Sequence, residues 1–152
     1  MKTHLVLVMG LLASAAATAS GSADQTAPVN ERWRTECGAC HVAYPARMLP
    51  AASWKALMGG LDKHFGSDAS LDPGTTMEIL SYLESNARRR TTGPSAKPVL
   101  RITQTRWFIN EHDQVPARLW KDARVKSAAN CAVCHTRAEQ GDFSERNLRL
   151  PR

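Results

Sequence analysis

The chain has 152 residues, with 20 basic and 14 acidic side chains and a net charge of +6. Hydrophobic residues make up 43% and charged ones 22%, so it is no disordered polyelectrolyte, and its length allows one modest domain or two very small ones. A large multi-domain enzyme, a solenoid and a collagen-like fibre are excluded, and 6% aromatics is thin for a core built from protein alone.

The predicted elements begin with an export signal. Met1 to His4 is a short positive start, and Leu5 to Ala17 is an apolar run of signal-peptide length. Ala17-Thr18-Ala19 fits the small-residue pattern before a cut, which places the signal at 1–19, with a cut as late as 23 as the alternative. Removing residues 1–19 leaves 19 basic against 14 acidic side chains, a charge of +5, and four histidines. Export points to the bacterial periplasm or a comparable oxidising space. No other segment is long and apolar enough to span a membrane.

Residues 24–30 read as a leader. A helix is predicted over Glu31 to Val42, followed by a turn-rich stretch marked by Tyr44-Pro45 and Leu49-Pro50. Apolar residues at 54, 57, 58, 61 and 65 form a helical stripe over Trp54 to Phe65, and His64 lies on it, with Gly66 as the stop. Asp72-Pro73 reads as an N-cap and first helical residue, and the helix runs to about Asn86 with Met77, Leu80 and Leu83 inward. Residues 88–100, basic and rich in Pro and Gly, read as a linker. The second half starts with Ile102 to His112, where Phe108 and His112 share a face, and continues with a short helical piece over Pro116 to Trp120. Ser127 is expected to cap a helix ending near Gly141. With no convincing strand alternation, the fold class is mostly α and loop-rich, in two small halves at 24–87 and 101–152.

All four cysteines sit in two copies of one pattern, Cys37-Gly38-Ala39-Cys40-His41 and Cys131-Ala132-Val133-Cys134-His135. C-x-x-C-H is the attachment pattern for c-type haem. Residues three apart on a helical turn point to one side, so two thiols reach the two vinyl groups of one porphyrin. The next residue then offers its imidazole to the iron, which makes His41 and His135 the proximal ligands. One structural zinc held by two C-x-x-C pairs is the bland alternative, but it gives no reason for a histidine after both pairs. Two redox disulfides leave the histidines equally unexplained.

After export, two histidines remain for two irons. His64 and His112 are therefore the candidate sixth ligands, with Met48, Met58 and Met77 as competitors. A thioether raises the potential, and paired imidazoles leave it lower. The packing alternatives are a core histidine at 64 and an exposed one at 112, between Glu111 and Asp113. His64 is assigned to the haem on Cys37 and Cys40, and His112 to the haem on Cys131 and Cys134, while a crossed arrangement fits the sequence as well. Halves of this size bury marginal cores, and an attached haem supplies an apolar face to pack against.

Glu36-Cys37-Gly38-Ala39-Cys40-His41-Val42-Ala43-Tyr44-Pro45, Ser53-Trp54, His64-Phe65-Gly66, Trp107-Phe108, Glu111-His112-Asp113 and Asn130-Cys131 carry a more specific likeness. So does the run Ala138-Glu139-Gln140-Gly141-Asp142-Phe143. Over about 31 to 151, the chain resembles the small dihaem cytochrome c family. Arg47 stands where an apolar residue is expected in that pattern. The resemblance implies a periplasmic electron carrier with two low-potential, bis-histidine c-type haems. It also implies a small oxygen-binding, high-spin monohaem cytochrome c as acceptor and a membrane cytochrome b of the b561 type as donor. The chain has no nucleic-acid motif, and a monomer is expected. A small dihaem peroxidase or reductase needs an open iron and acid-base groups, and no histidine is left over for proton work. A haem subunit of a larger oxidoreductase complex shares every site with the carrier. Arg88 and its two arginine neighbours suit either haem propionates or a solvated linker.

Overall fold

A computed structural model describes residues 29–89 and 97–151. The signal segment at 1–19, the later cut at 23, the leader up to residue 28 and the middle of the linker lie outside the described residues. Among those that are described, five short α-helices and six single 3-10 turns alternate with irregular chain, and no strand forms. Isolated bridges such as Pro50 to Arg88 and His135 to Leu148 are the only ladder-like pairings. The expected mostly α, loop-rich class is the one observed.

Helix α1 spans Glu31–Gly38. Its N-cap is Asn30, whose side chain accepts the Trp33 N–H at 2.7 Å. It ends four residues earlier than the periodicity predicts, and Cys40 and His41 lie beyond its C-cap at Ala39. Helix α2 spans Ala51–Met58 and follows Pro50, which sets the extended entry. Gly59 closes it, so the predicted Trp54–Phe65 helix is in fact α2 followed by a separate 3-10 turn at Leu61–Lys63. Two consecutive glycines carry too little helix propensity to continue the stripe.

Helix α3 spans Pro73–Ser85, with Asp72 accepting the Thr75 N–H at 3.0 Å. It buries Thr75, Ile79 and Leu83, one side chain per turn. Leu83 is inward and Leu80 half-buried as expected, but Met77 is 70% exposed. The buried stripe runs through 75, 79 and 83, and position 77 falls on the opposite side of it.

Trp33, Ala46, Leu49, Trp54, Met58, Ile79 and Leu83 form one buried cluster, with α2 laid against α3. The Trp54 indole donates to the Ala46 carbonyl at 2.7 Å, which fixes the loop between α1 and α2 onto the core. Arg32 pairs with Glu78 at 3.0 Å and joins α1 to α3.

Helices α4 (Arg106–Glu111) and α5 (Ala117–Trp120) follow the linker. Thr105 caps α4 by accepting the Phe108 N–H at 3.1 Å. Here the buried hydrophobic residues are Phe108, Leu119, Val125 and Ala138. The second cysteine motif is not on an α-helix. Its first three residues form a 3-10 turn at Cys131–Val133, and Ser127 instead accepts the Ala129 N–H within a preceding turn. Arg88, placed in the linker by composition, is anchored: its N–H donates to the Leu49 carbonyl at 3.0 Å. Its guanidinium lies 4.9 Å from the centre of the Trp107 ring.

Candidate functional site

The first motif straddles the end of α1. Cys37 is on its last turn and half-buried, and Cys40 is exposed beyond the cap. Burial, with Glu36 adding to it, pushes the Cys37 thiol up to about 11. In the second motif the Cys131 carbonyl accepts both the Cys134 N–H at 3.2 Å and the His135 N–H at 2.8 Å. That single turn brings both thiols and the imidazole to one side. Burial raises the Cys131 and Cys134 thiols as well. Among the described residues, no three His, Cys, Asp or Glu side chains converge as a metal site, so the four cysteines do not gather around one zinc. All four are free of disulfides.

The structure brings the four histidines together in two pairs. The His41 and His64 ring centroids lie 6.3 Å apart with planes 24° apart. The His112 and His135 rings lie 6.1 Å apart at 70°. Each pairing is the one within a half, not the crossed one. Each distal histidine is delivered by a distinct local device. His64 follows the Leu61–Lys63 turn, and Phe65 (φ +51°) and Gly66 (φ +102°) then reverse the chain. A left-handed Phe is uncommon and costs roughly 1–3 kcal/mol. The Arg101 guanidinium sits 4.1 Å from the centre of the Phe65 ring and covers it. His112 is the C-cap of α4 and stacks on Phe108 at 4.0 Å, the shared face expected from their spacing.

Two of the four rings have their Nδ1 engaged by backbone: His41 lies 2.8 Å from the Val42 carbonyl and His112 2.8 Å from the Phe108 carbonyl. An Nδ1–H donated to a carbonyl leaves Nε2 with its lone pair outward, which is the ligating tautomer. The His135 Nδ1 is buried without a hydrogen bond. The Phe143 backbone still favours its protonated form weakly, from outside hydrogen-bond geometry. Burial first, then His41 and Arg101, lowers the His64 pKa. Burial first, then His112, lowers that of His135. Both shifts keep the imidazoles neutral, as metal ligation requires.

These residues fit haem iron. A metal–imidazole bond is about 2 Å and a ring nitrogen lies roughly 1.1 Å from its centroid, so two imidazoles across one metal ion stand about 6.2 Å apart. Both observed separations agree with that value. The methionines do not compete well. Met48 and Met58 are 5% and 8% exposed in the core, and Met77 points into solvent.

Thiol pairs each followed by histidine, beside two imidazole pairs, define the class of c-type cytochromes. Over residues 33–143 the chain matches the family model described as dihaem cytochrome c, and it belongs to that family. A search of curated proteins found no match. Among solved structures it is similar to a dihaem cytochrome c (DHC) purified from Rhodobacter sphaeroides, with 47% identity and a TM-score of 0.66. The alignment covers 76% of this chain and 98% of that one. It is also similar to the diheme cytochrome type c of Shewanella baltica OS155, with 40% identity and a TM-score of 0.70, over 82% of this chain and 95% of that one. The cofactors are accordingly two c-type haems.

The sequence did not single out two side chains that shape the site. Tyr44 stacks on His41 at 4.7 Å, and its hydroxyl donates to the Ala129 carbonyl at 2.6 Å. Burial, then Cys131, pushes its phenol up to about 12. Arg101 covers Phe65 beside His64. An aromatic three residues after the motif histidine is a weak signal for the first, and the sequence has none for the second. Arg47, the departure from the family pattern, is exposed and donates to the Gly141 carbonyl at 3.1 Å. It reaches across to the second segment, so a polar residue suits the position.

Proposed function

We propose that this protein is a periplasmic electron carrier. It moves single electrons between redox partners through two bis-histidine, low-potential haems, one in each half of the chain. Cys37 and Cys40 attach one haem and Cys131 and Cys134 the other. His41 and His64 would ligate the first iron, and His135 and His112 the second. The observation that carries this reading is the pair of imidazole separations, 6.3 and 6.1 Å, each of a size that admits one metal ion.

When bound, haem supplies a one-electron couple at iron. The residues decide what else the iron can do. Filling both axial positions with imidazole excludes substrate and oxygen, which is why a carrier is favoured over a peroxidase or reductase. The Val42 and Phe108 carbonyls hold the His41 and His112 rings in the ligating tautomer. The neutral form favoured at His64 and His135 keeps those ligands available at physiological pH.

Export places the carrier in the periplasm, where c-type haem is attached. Among the described residues no helix is long and apolar enough to cross a membrane. The proposed partners are electron-transfer proteins: a high-spin monohaem cytochrome c as acceptor and a membrane cytochrome b of the b561 type as donor. The carrier is proposed to act as a monomer.

Low-temperature EPR of the ferric protein, joined to a redox titration, tests the proposal. Two low-spin signals without a thioether absorption band, and two low potentials, are the expected result. A high-spin component that binds carbon monoxide on reduction overturns it in favour of an enzyme with an open iron.

A further inference from the structure

Among the described residues, several side chains reach from one segment to the other. Arg47 contacts the Gly141 carbonyl, Arg88 the Trp107 ring, Arg101 the Phe65 ring, and Tyr44 the Ala129 carbonyl. Tyr44 touches a candidate haem ligand of the first half, His41, and a residue two positions before Cys131 in the second. The Tyr44 ring stacks on His41 with planes 22° apart. Its hydroxyl donates 2.6 Å to Ala129, 85 positions away. The same carbonyl accepts the Cys131 N–H at 3.0 Å, and the Cys131 Sγ lies 3.6 Å from it. His41 imidazole, Tyr44 ring, Tyr44 hydroxyl, Ala129 carbonyl and Cys131 therefore form an unbroken run of contacts.

The contact is built to persist. An O–H···O distance of 2.6 Å is at the short end of the hydrogen-bond range. The loop bearing Tyr44 is fastened at Ala46 and Arg47. Trp54 binds the Ala46 carbonyl, and the Arg88 Nε donates to the Arg47 carbonyl at 3.3 Å.

We propose that Tyr44 is the coupling residue between the two haem sites. It orients the His41 imidazole with its ring and reaches the Cys131 attachment through the Ala129 carbonyl, so that electrons exchange between the halves along this contact. The inference rests on the two-haem carrier reading above. The exchange is balanced by one electron, lost by one iron and gained by the other. No bond forms or breaks, and Tyr44 keeps its proton and is not oxidised.

The test uses the haem-loaded full chain carrying Tyr44→Phe, which keeps the ring and deletes the hydroxyl. Ferric EPR reports the imidazole planes. Two-dimensional exchange NMR of the half-reduced protein, diluted until exchange between molecules is negligible, reports the intramolecular rate. In Tyr44→Phe the low-spin EPR signals are expected to stay as in wild type while the exchange rate falls several-fold. Tyr44→Leu is expected to slow exchange further and to shift the EPR signal of the haem bound by His41. Arg47→Met, which loosens the same junction away from the run, is expected to exchange at the wild-type rate. A wild-type rate in Tyr44→Phe overturns the proposal, and so does equal slowing in Arg47→Met, which would reduce Tyr44 to a docking contact.

If Tyr44→Phe fails to take up both haems, 3-fluorotyrosine in a Tyr82→Phe background labels position 44 alone. Its more acidic phenol is expected to speed exchange, and an unchanged rate again overturns the proposal. Failure of the carrier reading looks different: a high-spin signal in the unmodified protein.

Discussion

The scaffold under the first haem site depends on one indole hydrogen bond. Trp54 is 8% exposed, and its N–H donates at 2.7 Å to the carbonyl of Ala46, itself 3% exposed. Tyr44 and Arg47 stand on either side of that carbonyl. Trp54→Phe refills most of the slot but provides no donor. The Ala46 carbonyl keeps the Leu49 N–H, 3.4 Å away, so the loss is that of one hydrogen bond, about 0.5–1.5 kcal/mol. The smaller ring leaves a void of about 40 Å³, and at about 24 cal/mol per Å³ this adds about 1 kcal/mol. The expected loss is therefore about 1.5–2.5 kcal/mol, and at about 4 °C per kcal/mol for a chain of this size the melting temperature falls by about 6–10 °C. Thermal unfolding of the haem-loaded protein, followed by far-UV circular dichroism and by the Soret band, measures it. A fall of less than about 3 °C would refute the reasoning, because it would mean that water or a shifted donor satisfies the Ala46 carbonyl.

The remaining predictions concern the site. His64→Ala and His112→Ala are each expected to convert one low-spin haem to a high-spin form that binds carbon monoxide, and a spectrum still fully low-spin in either variant would remove that residue from the ligand set. Replacing Cys131 and Cys134 together by alanine is expected to halve the haem content per chain, measured by pyridine haemochrome, and an unchanged content would refute the attachment assignment. Asp142 accepts from the Ser144 N–H and hydroxyl and from Asn147 Nδ2, and these bonds pin the turn behind His135. Hydrogen bonds from Ser144 hold its carboxyl below the usual range. Its contribution is then present above the ordinary carboxylate pKa and is lost as pH falls through the lower folded value. Asp142→Asn should lower the melting temperature at neutral pH and flatten its acid dependence below about pH 4, and an acid profile parallel to wild type would refute this.

The chemistry was legible because covalent attachment demands rigid local spacing. Both motifs, and the two histidines left over, stand in the linear sequence. Helix α3 was legible because Asp72-Pro73 marks its start and its stripe is long. The ends of α1 and α2 were not, because Gly38 and the Gly59-Gly60 pair outweighed an apolar periodicity that carried on past them. The second motif misled for a related reason. A turn of 3-10 geometry satisfies the C-x-x-C spacing as well as an α-helical turn does, so spacing cannot choose between them. Met77 misled because a large apolar residue stands on the solvent side of the helix, opposite Thr75, Ile79 and Leu83. The junction between segments left no local trace. Tyr44 meets Ala129, and Arg47 meets Gly141, across 85 and 94 residues.

The two segments bury different amounts of protein, and this bears on what haem does for the fold. The first has seven buried residues in one cluster under three helices. The second buries Phe108, Leu119, Val125 and Ala138 around two short helices and a series of single turns. Helices of six and four residues are far below the length at which a helix is stable alone. Phe108 stacks on His112, Trp120 lies 6.0 Å from the same imidazole, and Phe143 lies 5.4 Å from His135. Phe108, Trp120 and Phe143 thus gather around the two imidazoles. A porphyrin bound there supplies apolar surface that the polypeptide lacks, so in the second half the cofactor acts as core as well as redox centre, while the first half brings a core of its own.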